Sequence, residues 1–477
     1  MAEQKTICCL PSIVRGSSFL CTRLIRYQPR RIMGSEKKRK ILERRFYRLS
    51  ARPNCLANNL NTTIKKKNLI YAWTYIEWGG VQTYTISLLR AVRNSYEVLV
   101  VLPVGSSPEL KSLLEKEGAN CEYFGPRADT QPAHTIGARI KRRLKIIRSE
   151  WSLLRHILKK DLQDTIVHID LAPQKSFLTF TALCLKTHVF FTIHNSFPRK
   201  GRFRESSWLL KVRFLSRFRR FHIFAANEDA KRYLAPYLSK KASRQISLIR
   251  AAIDPALIEQ IAASDFDRKS VLAELGIPHD MKVVLTVGQF IDRKGRWTHL
   301  EAVAKLVKKR DDLLFVWLTP ESPGEFDLER VRKYDVEKAF RIVLSSEVGS
   351  SREEVLTFFR IGDLFVLPSY VEGVPIALVE AMALGLPCIS TNINGIPEAI
   401  RSGVTGLLIE PGDTIALAEA VEQMVDNPAL SKDMAEKGMY FVRKEFDERE
   451  SARIALREYD DCFTIAADEN QAVDLHI

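Results

Sequence analysis

No run of apolar residues approaches the ~18–20 that a bilayer-spanning helix requires, although 46% of the 477 residues are hydrophobic. The chain is not expected to cross a membrane as a helix. The eight cysteines form no CxxC pair, and neither they nor the histidines keep a zinc-like spacing. Nothing resembles a cleavable secretory signal, so a reduced, cytoplasmic setting is expected. Short-period repeats and low-complexity tracts are missing too. Acid is scarce at the start: the first 67 residues carry Glu3, Glu36 and Glu43 against 17 Lys and Arg, so most of the net charge of +16 sits there. Residues 1–67 read as a basic, flexible extension. Its Arg-containing, acid-poor composition also fits a transit peptide, and Met33 offers a second start.

From Asn68 onward the pattern becomes regular. NLIYAW, YEVLVVLPV, TIVHID, HVFFTIH and FHIFAAN read as buried strands separated by amphipathic helical stretches. After a polar, proline-containing break a second series begins: KVVLTVGQF, LLFVWLT, FRIVLSS, DLFVLPS, PCISTN and GLLIEP. Apolar strands alternating with helices predict parallel sheets covered on both faces. The expected organisation is two Rossmann-like α/β domains, 68–255 and 256–445, facing across a cleft. A helix at 446–465 is expected to return to the first domain, followed by a tail at 466–477.

Two carboxylates stand out in VEGVPIALVEAMALGLP, residues 371–387, where nearly everything else is apolar. Pro375 suits a helix start, because its missing N–H would be unpaired there anyway. Gly385 and Pro387 stop that helix. Every side chain between is apolar or small except Glu380, so the helix should be buried, and a lone buried carboxylate is costly unless it meets a partner or a ligand. The helix start after Gly373 offers free N–H groups and a positive dipole end at the carboxyl edge of a parallel strand, where open α/β sheets bind anions. The plain alternative is that Glu380 pairs with a structural Lys or Arg and Glu372 is a solvated loop acid.

These residues resemble the signature of the retaining glycosyltransferase family 4, the group 1 glycosyltransferases of the GT-B fold: PSYVEGVPIALVEAMALGLP, then NGIPEAI and GVTGLLIEPGD. The resemblance runs in segment order over roughly residues 68–465. It implies that Glu380 binds the ribose hydroxyls of a nucleotide sugar, while Glu372 and the backbone of Gly373, Val374, Pro375 and Ile376 meet the sugar and diphosphate. Lys294, in VGQFIDRKG, matches the family's diphosphate-binding lysine; a departing diphosphate needs positive charge. Gln289 stands where the family usually has Arg, and Arg293 is the nearest cation to compensate. Gly79 and Gly80, in a strand–turn–helix, resemble the family's first loop and form a wall on the acceptor and phosphate side. His194, at the end of a buried strand, is the first candidate to face the donor sugar, with a satisfied core histidine as the plain alternative; His168 is a weaker candidate. The connection reads AAID, residues 251–254, where the family has NG.D. Asp265 and Asp267 form a DxD that reads as linker polarity, since the family implies diphosphate binding without metal or cofactor.

From Arg139, Ile140, Leu144, Ile147, Trp151, Leu154 and Leu158 recur at steps of three and four, one apolar stripe with Lys141, Arg142, Lys145, Arg148 and Arg155 mostly opposite. Either the stripe covers the sheet and the charges are solvated, or the cationic face, with the second basic run from Arg199, docks on an anionic membrane. The expected enzyme moves a sugar from a nucleotide diphosphate sugar to a glycan or lipid-linked acceptor hydroxyl, in cell-surface glycan, lipopolysaccharide or glycolipid synthesis, in the cytoplasm or peripheral on a membrane's inner face. Epimerisation of a nucleotide sugar, a catalytically silent relative and a basic nucleic-acid-binding protein are the alternatives, the last without any specific reading motif.

Overall fold

Continuous apolar strands bounded by helical segments close into two separate parallel sheets in the computed structural model, which describes residues 66–73, 80–125, 135–170, 172–196, 202–349 and 351–473. The first sheet holds β1 (Lys67–Ala72), β2 (Tyr96–Pro103), β3 (Asn120–Phe124), β4 (Thr165–Ile169), β5 (His188–Ile193), β6 (Phe221–Ala225) and β7 (Ser247–Leu248), in the order β3-β2-β1-β4-β5-β6-β7. The second holds β8 (Lys282–Val287), β9 (Leu313–Thr319), β10 (Phe340–Leu344), β11 (Leu364–Leu367), β12 (Cys388–Thr391) and β13 (Leu407–Ile409), in the order β10-β9-β8-β11-β12-β13. Neighbouring strands in both sheets run parallel, as in the registers Ile70↔Val167 and Val284↔Phe315.

The interior of each sheet explains its pattern. All seven residues of β9, LLFVWLT, are buried, because helices cover both faces and leave no polar side to a central strand. Leu69, Tyr71 and Val100 pack on one face of the first sheet, and Ile70, Val101 and Val167 on the other. Leu285 and Leu367 face one core of the second sheet; Val284, Val366 and Trp317 face its opposite. Burying a side chain of this size contributes roughly 1.5–3 kcal/mol.

The chain passes between the sheets twice at one place. Ile253 bridges Asp447, with Ile253 N–H donating to Phe446 O at 2.9 Å and Glu448 N–H donating to Ile253 O at 3.0 Å. Asp254 then caps the Pro255–Ala263 helix, and Asp267 of the DxD caps the Arg268–Glu274 helix through the N–H groups of Lys269 and Ser270. The helix Glu448–Val473 lies against the first sheet's elements: Tyr459 is buried among them, and Asp460 accepts from Tyr96 Oη at 2.8 Å and Lys67 Nζ at 2.9 Å.

The stripe counted along the Ile136–Leu158 helix does not cover the sheet. The buried residues are Ser149, Leu153, Leu154 and Ile157, confined to the second half, while Ile140, Leu144, Ile147 and Trp151 are 54–63% exposed. Packing selects a face rotated from the stripe, and the helix's first half stands clear of the core. Among the described residues no helix is long and apolar enough to cross a membrane. Residues 1–65 of the basic leader lie outside the described residues, and its last residue, Lys67, opens β1.

Candidate active site

Strand order reverses between β8 and β11, and the loops after these two strands meet over the sheet's carboxyl edge. The loop after β8 ends at Gly295, in the left-handed region at φ 75°, where a Cβ would lie 1.8 Å from Pro368 O. Only glycine lets the backbone come this close. The approach seats Lys294 on the loop after β11: its Nζ lies 2.6 Å from Glu372 Oε1, both side chains nearly buried. Ser369 Oγ donates to the same Oε1 at 3.1 Å, and Arg293 Nη1 lies 3.5 Å from Glu372 Oε2. Tyr370 N–H donates to Arg293 O at 2.8 Å, which ties the two loops together. Gln289, half-buried in the same loop, accepts from Ile291 N–H through its carbonyl. Two cations thus converge on one carboxylate at the mouth of the donor-side helix.

That helix, Ile376–Ala383, has Pro375 at its N-cap and buries every residue except Ala377, which is half-buried. Val374 and Ile376 are buried. Glu380 does meet a structural cation, its Oε1 paired with Arg352 Nη2; Arg352 begins a helix that Ser351 caps. Its second oxygen, Oε2, is buried without a hydrogen bond among the described residues. A buried carboxylate oxygen without a donor is a costly arrangement unless a ligand completes it.

The first sheet supplies the facing wall. His194 directly follows β5, and a Cβ on Gly373 would lie 2.5 Å from His194 O and 2.6 Å from Asn195 Oδ1. The absence of a side chain at Gly373 is what lets the two walls touch. Asp170, just past β4, sits with Oδ1 3.5 Å from His194 Nε2, and its Oδ2 accepts from the Tyr71 hydroxyl. Burial opposes ionisation of Asp170, but His194 above all, with His168 and Tyr71, outweighs it and holds the carboxyl below its ordinary value. Tyr84 stands edge-on to the His194 ring at 5.1 Å.

Further contacts cross the cleft. Asn394 Nδ2 donates to Ser196 Oγ at 2.8 Å, while its Oδ1 lies 3.4 Å from Glu372 N. Glu398 accepts from the N–H groups of Glu228 and Asp229, both at 2.9 Å, at the start of the Glu228–Leu234 helix.

The structure therefore brings His194, Arg293, Lys294, Glu372 and Gly373 to one cleft and places Glu380 behind them. Gly79 lies outside the described residues, and Gly80 begins the Gly80–Val92 helix. His168 is excluded from a donor-facing role: fully buried, it meets Tyr459 Oη at 2.5 Å through Nδ1 and Thr192 Oγ1 at 2.8 Å through Nε2. Arg352 escaped the sequence reading. Asp170, the charge that ends TIVHID, and Asn394, the first residue of NGIPEAI, stood in quoted segments without being given a role.

Two Rossmann-like domains meeting at such a cleft define the GT-B class. The Anabaena protein HepE, solved in complex with UDP-glucose, superposes with a TM-score of 0.63 at 16% identity, covering 83% of this chain and 100% of its own. The family model described as Glycosyltransferase Family 4 matches residues 78–257, and that described as Glycosyl transferases group 1 matches residues 267–439. The chain belongs to this family of group 1 glycosyltransferases. It is 31% identical over 169 residues to the alpha-D-kanosaminyltransferase of Streptomyces kanamyceticus, covering 35% of this chain and 43% of the relative. With the N-acetyl-alpha-D-glucosaminyl L-malate synthase of Bacillus anthracis it shares 32% over 181 residues, 38% of this chain and 45% of the relative. The chain spans less than half the length of either curated relative.

Proposed function

We propose that the protein transfers a sugar from a nucleotide diphosphate sugar to an acceptor hydroxyl with retention of configuration. The convergence of Lys294, Arg293 and Glu372 at a helix start, opposite His194, carries this reading. Departure of the diphosphate leaves negative charge where Lys294, Arg293 and the N–H groups of the Ile376–Ala383 helix stand, so these stabilise the transition state without a metal or cofactor. The anomeric carbon exchanges its bond to the diphosphate oxygen for one to the acceptor oxygen on the same face, and the acceptor's proton passes to the leaving diphosphate. His194, oriented by Asp170, and Glu372 position the sugar; Glu380 offers Oε2 to the ribose while Arg352 holds Oε1. The relatives' names, a kanosaminyltransferase and an N-acetyl-alpha-D-glucosaminyl L-malate synthase, and HepE's complex with UDP-glucose support this donor class. UDP-sugars are the first donors to test. Binding of a nucleotide sugar, followed by an anomeric assignment of the product by NMR, checks the reading. Failure to bind any nucleotide sugar would overturn it, and an inverted product would overturn retention.

A lipid-linked acceptor, reached from the cytoplasmic face of a membrane, is favoured by one surface. Ile140, Leu144, Ile147 and Trp151 are exposed on the Ile136–Leu158 helix beside Arg139, Lys141, Arg143 and Lys145. Leu178, Leu210 and Phe214 are exposed on the adjoining Phe177–Cys184 and Arg202–Leu215 helices. Apolar anchors amid cations fit an anionic bilayer interface, where each cation adds about 1 kcal/mol. Sedimentation with phosphatidylglycerol vesicles, absent with phosphatidylcholine and lost in Leu144→Asp with Trp151→Asp, is the expected result; equal sedimentation of that variant would refute it.

A further inference from the structure

At the end of the first sheet remote from the cleft, three side chains far apart in sequence point at one another. His188 opens β5, His222 is the second residue of β6, and Cys462 projects from the Glu448–Val473 helix. Nδ1 of His188 lies 2.9 Å from Nε2 of His222, Sγ of Cys462 lies 3.6 Å from the same Nε2, and the three donor atoms all fall within 4.8 Å. We propose that His188, His222 and Cys462 form a binding site for a borderline-soft transition-metal ion, of which zinc is the type.

The donor chemistry fits. Two imidazoles and a thiolate are the ligand set zinc takes at about 2.0–2.1 Å from nitrogen and about 2.3 Å from sulfur, which in a tetrahedron puts the nitrogens about 3.3 Å apart and nitrogen and sulfur about 3.5 Å apart. The observed 2.9 Å and 3.6 Å lie within a few tenths of an ångström of that geometry. The His222 ring is fixed by stacking on Phe190 at 4.4 Å, and Phe190 stands opposite it in the β5–β6 register. Without metal, the two histidines share one N–H···N bond and the Cys462 thiol donates to Glu458 O at 3.3 Å. An entering ion replaces both bonds and displaces the thiol proton to solvent; the half-buried histidines give it access. Water or a solvent anion completes the tetrahedron.

The ligands come from two strands and from the helix that returns after the second crossing at Asp447. A bound ion would therefore fasten that helix to the first sheet far from the cleft, a structural role independent of the sugar chemistry.

The test is cobalt titration of the full-length, chelator-treated protein, followed by zinc competition. One equivalent is expected, with visible d–d bands and a thiolate-to-cobalt charge-transfer band, and a zinc-dependent rise in Tm. His188→Gln, at a half-buried position, and Cys462→Ser should each weaken binding about a hundredfold, with the charge-transfer band lost in Cys462→Ser. If Cys462→Ser fails to fold, His188→Gln still decides. No binding by the parent protein overturns the proposal. So does unchanged affinity in His188→Gln, which would place the ion on other ligands such as Cys8, Cys9 and Cys21.

Discussion

Replacing Lys294 with Ala separates the two roles its ammonium combines. In the closed pair with Glu372, at 2.6 Å and with 12% and 7% of the side chains exposed, two unit charges attract by about 6 kcal/mol at an effective dielectric near 20. Removing one partner of a buried pair costs more than the net value of the pair, because the other charge is stranded. Here the stranding is partial: Glu372 keeps Ser369 Oγ at 3.1 Å and Arg293 at 3.5 Å. The expected loss of stability is therefore about 1–3 kcal/mol, and the fold survives. Binding should respond differently. On the proposed reading Lys294 serves the second phosphate, so UDP should bind about 10–100-fold more weakly, the loss of one charge-assisted bond, while UMP binds as before. Transfer should be abolished. Glu372→Gln supplies the opposite perturbation: it frees Lys294 from its internal competitor, so UDP should bind more tightly even as transfer falls. Calorimetric titration of both nucleotides against both variants, with melting curves as the control for folding, measures all of this. Equal losses for UDP and UMP in Lys294→Ala, or weakened UDP binding in Glu372→Gln, would refute the assignment of Lys294 to the diphosphate.

Arg293, about 40% exposed in its side chain, should contribute less than Lys294: Arg293→Ala is expected to lower kcat/KM about tenfold, and Gln289→Arg in the same chain should restore much of it, measured by donor-dependent transfer. Gly373→Ala places a methyl 2.5 Å from His194 O, so the walls must separate; kcat should fall by a hundredfold or more with Tm little changed, and wild-type turnover would count against the close approach. His168 and His299 are buried neutral, their pKa lowered by burial to about 4 and about 3. The unfolded chain binds their protons first, so stability is complete above pH 6.5 and declines as pH falls toward those values, by about 2 kcal/mol per histidine between pH 6.5 and 5. Denaturant midpoints at pH 7 and 5 read this decline, which His299→Gln should reduce; a flat response would contradict it.

What the sequence made legible follows from what local pattern encodes. The central strands announce themselves because both faces are covered, leaving apolar runs such as LLFVWLT. β3 did not, since Asn120 and Tyr123 are exposed on an edge strand of mixed polarity, and β7 has only two residues. Glu372, Lys294 and His194 were legible as charges or glycine-flanked loops at strand ends. Their partners were not. Arg352 reaches Glu380 from a helix on another connection, and Asp170 reaches His194 from the neighbouring strand; both pairings exist only once the sheet order is set. The stripe of the Ile136–Leu158 helix left two readings open for a related reason: periodicity finds an apolar face but not the element that covers it.

The same dependence on tertiary order explains why the cleft works as a unit. The backbone of Glu372 lies against Asn394, and the Asn394 amide reaches Ser196 beyond β5, so the residue that holds Lys294 sits between Asn394 and Gly373, the two residues that meet the opposite wall. Glu398, four residues on from Asn394, accepts two N–H bonds from the Glu228–Leu234 helix. These bonds are individually worth about 1–3 kcal/mol, whereas each sheet's apolar core is far stronger. The contacts across the cleft are therefore weaker than the cores they join, and the chain passes between the sheets at Ile253 and Asp447. Gly373, Asn394 and Glu398 all belong to the segment that also presents Glu372 and the Ile376–Ala383 helix, so the contacts with the first sheet and the Glu372 carboxylate share one stretch of chain. If the proposed donor draws Lys294 away from Glu372, it changes the electrostatics at the seam itself, and the proposal then requires diphosphate binding and domain contact to be coupled through a single carboxylate.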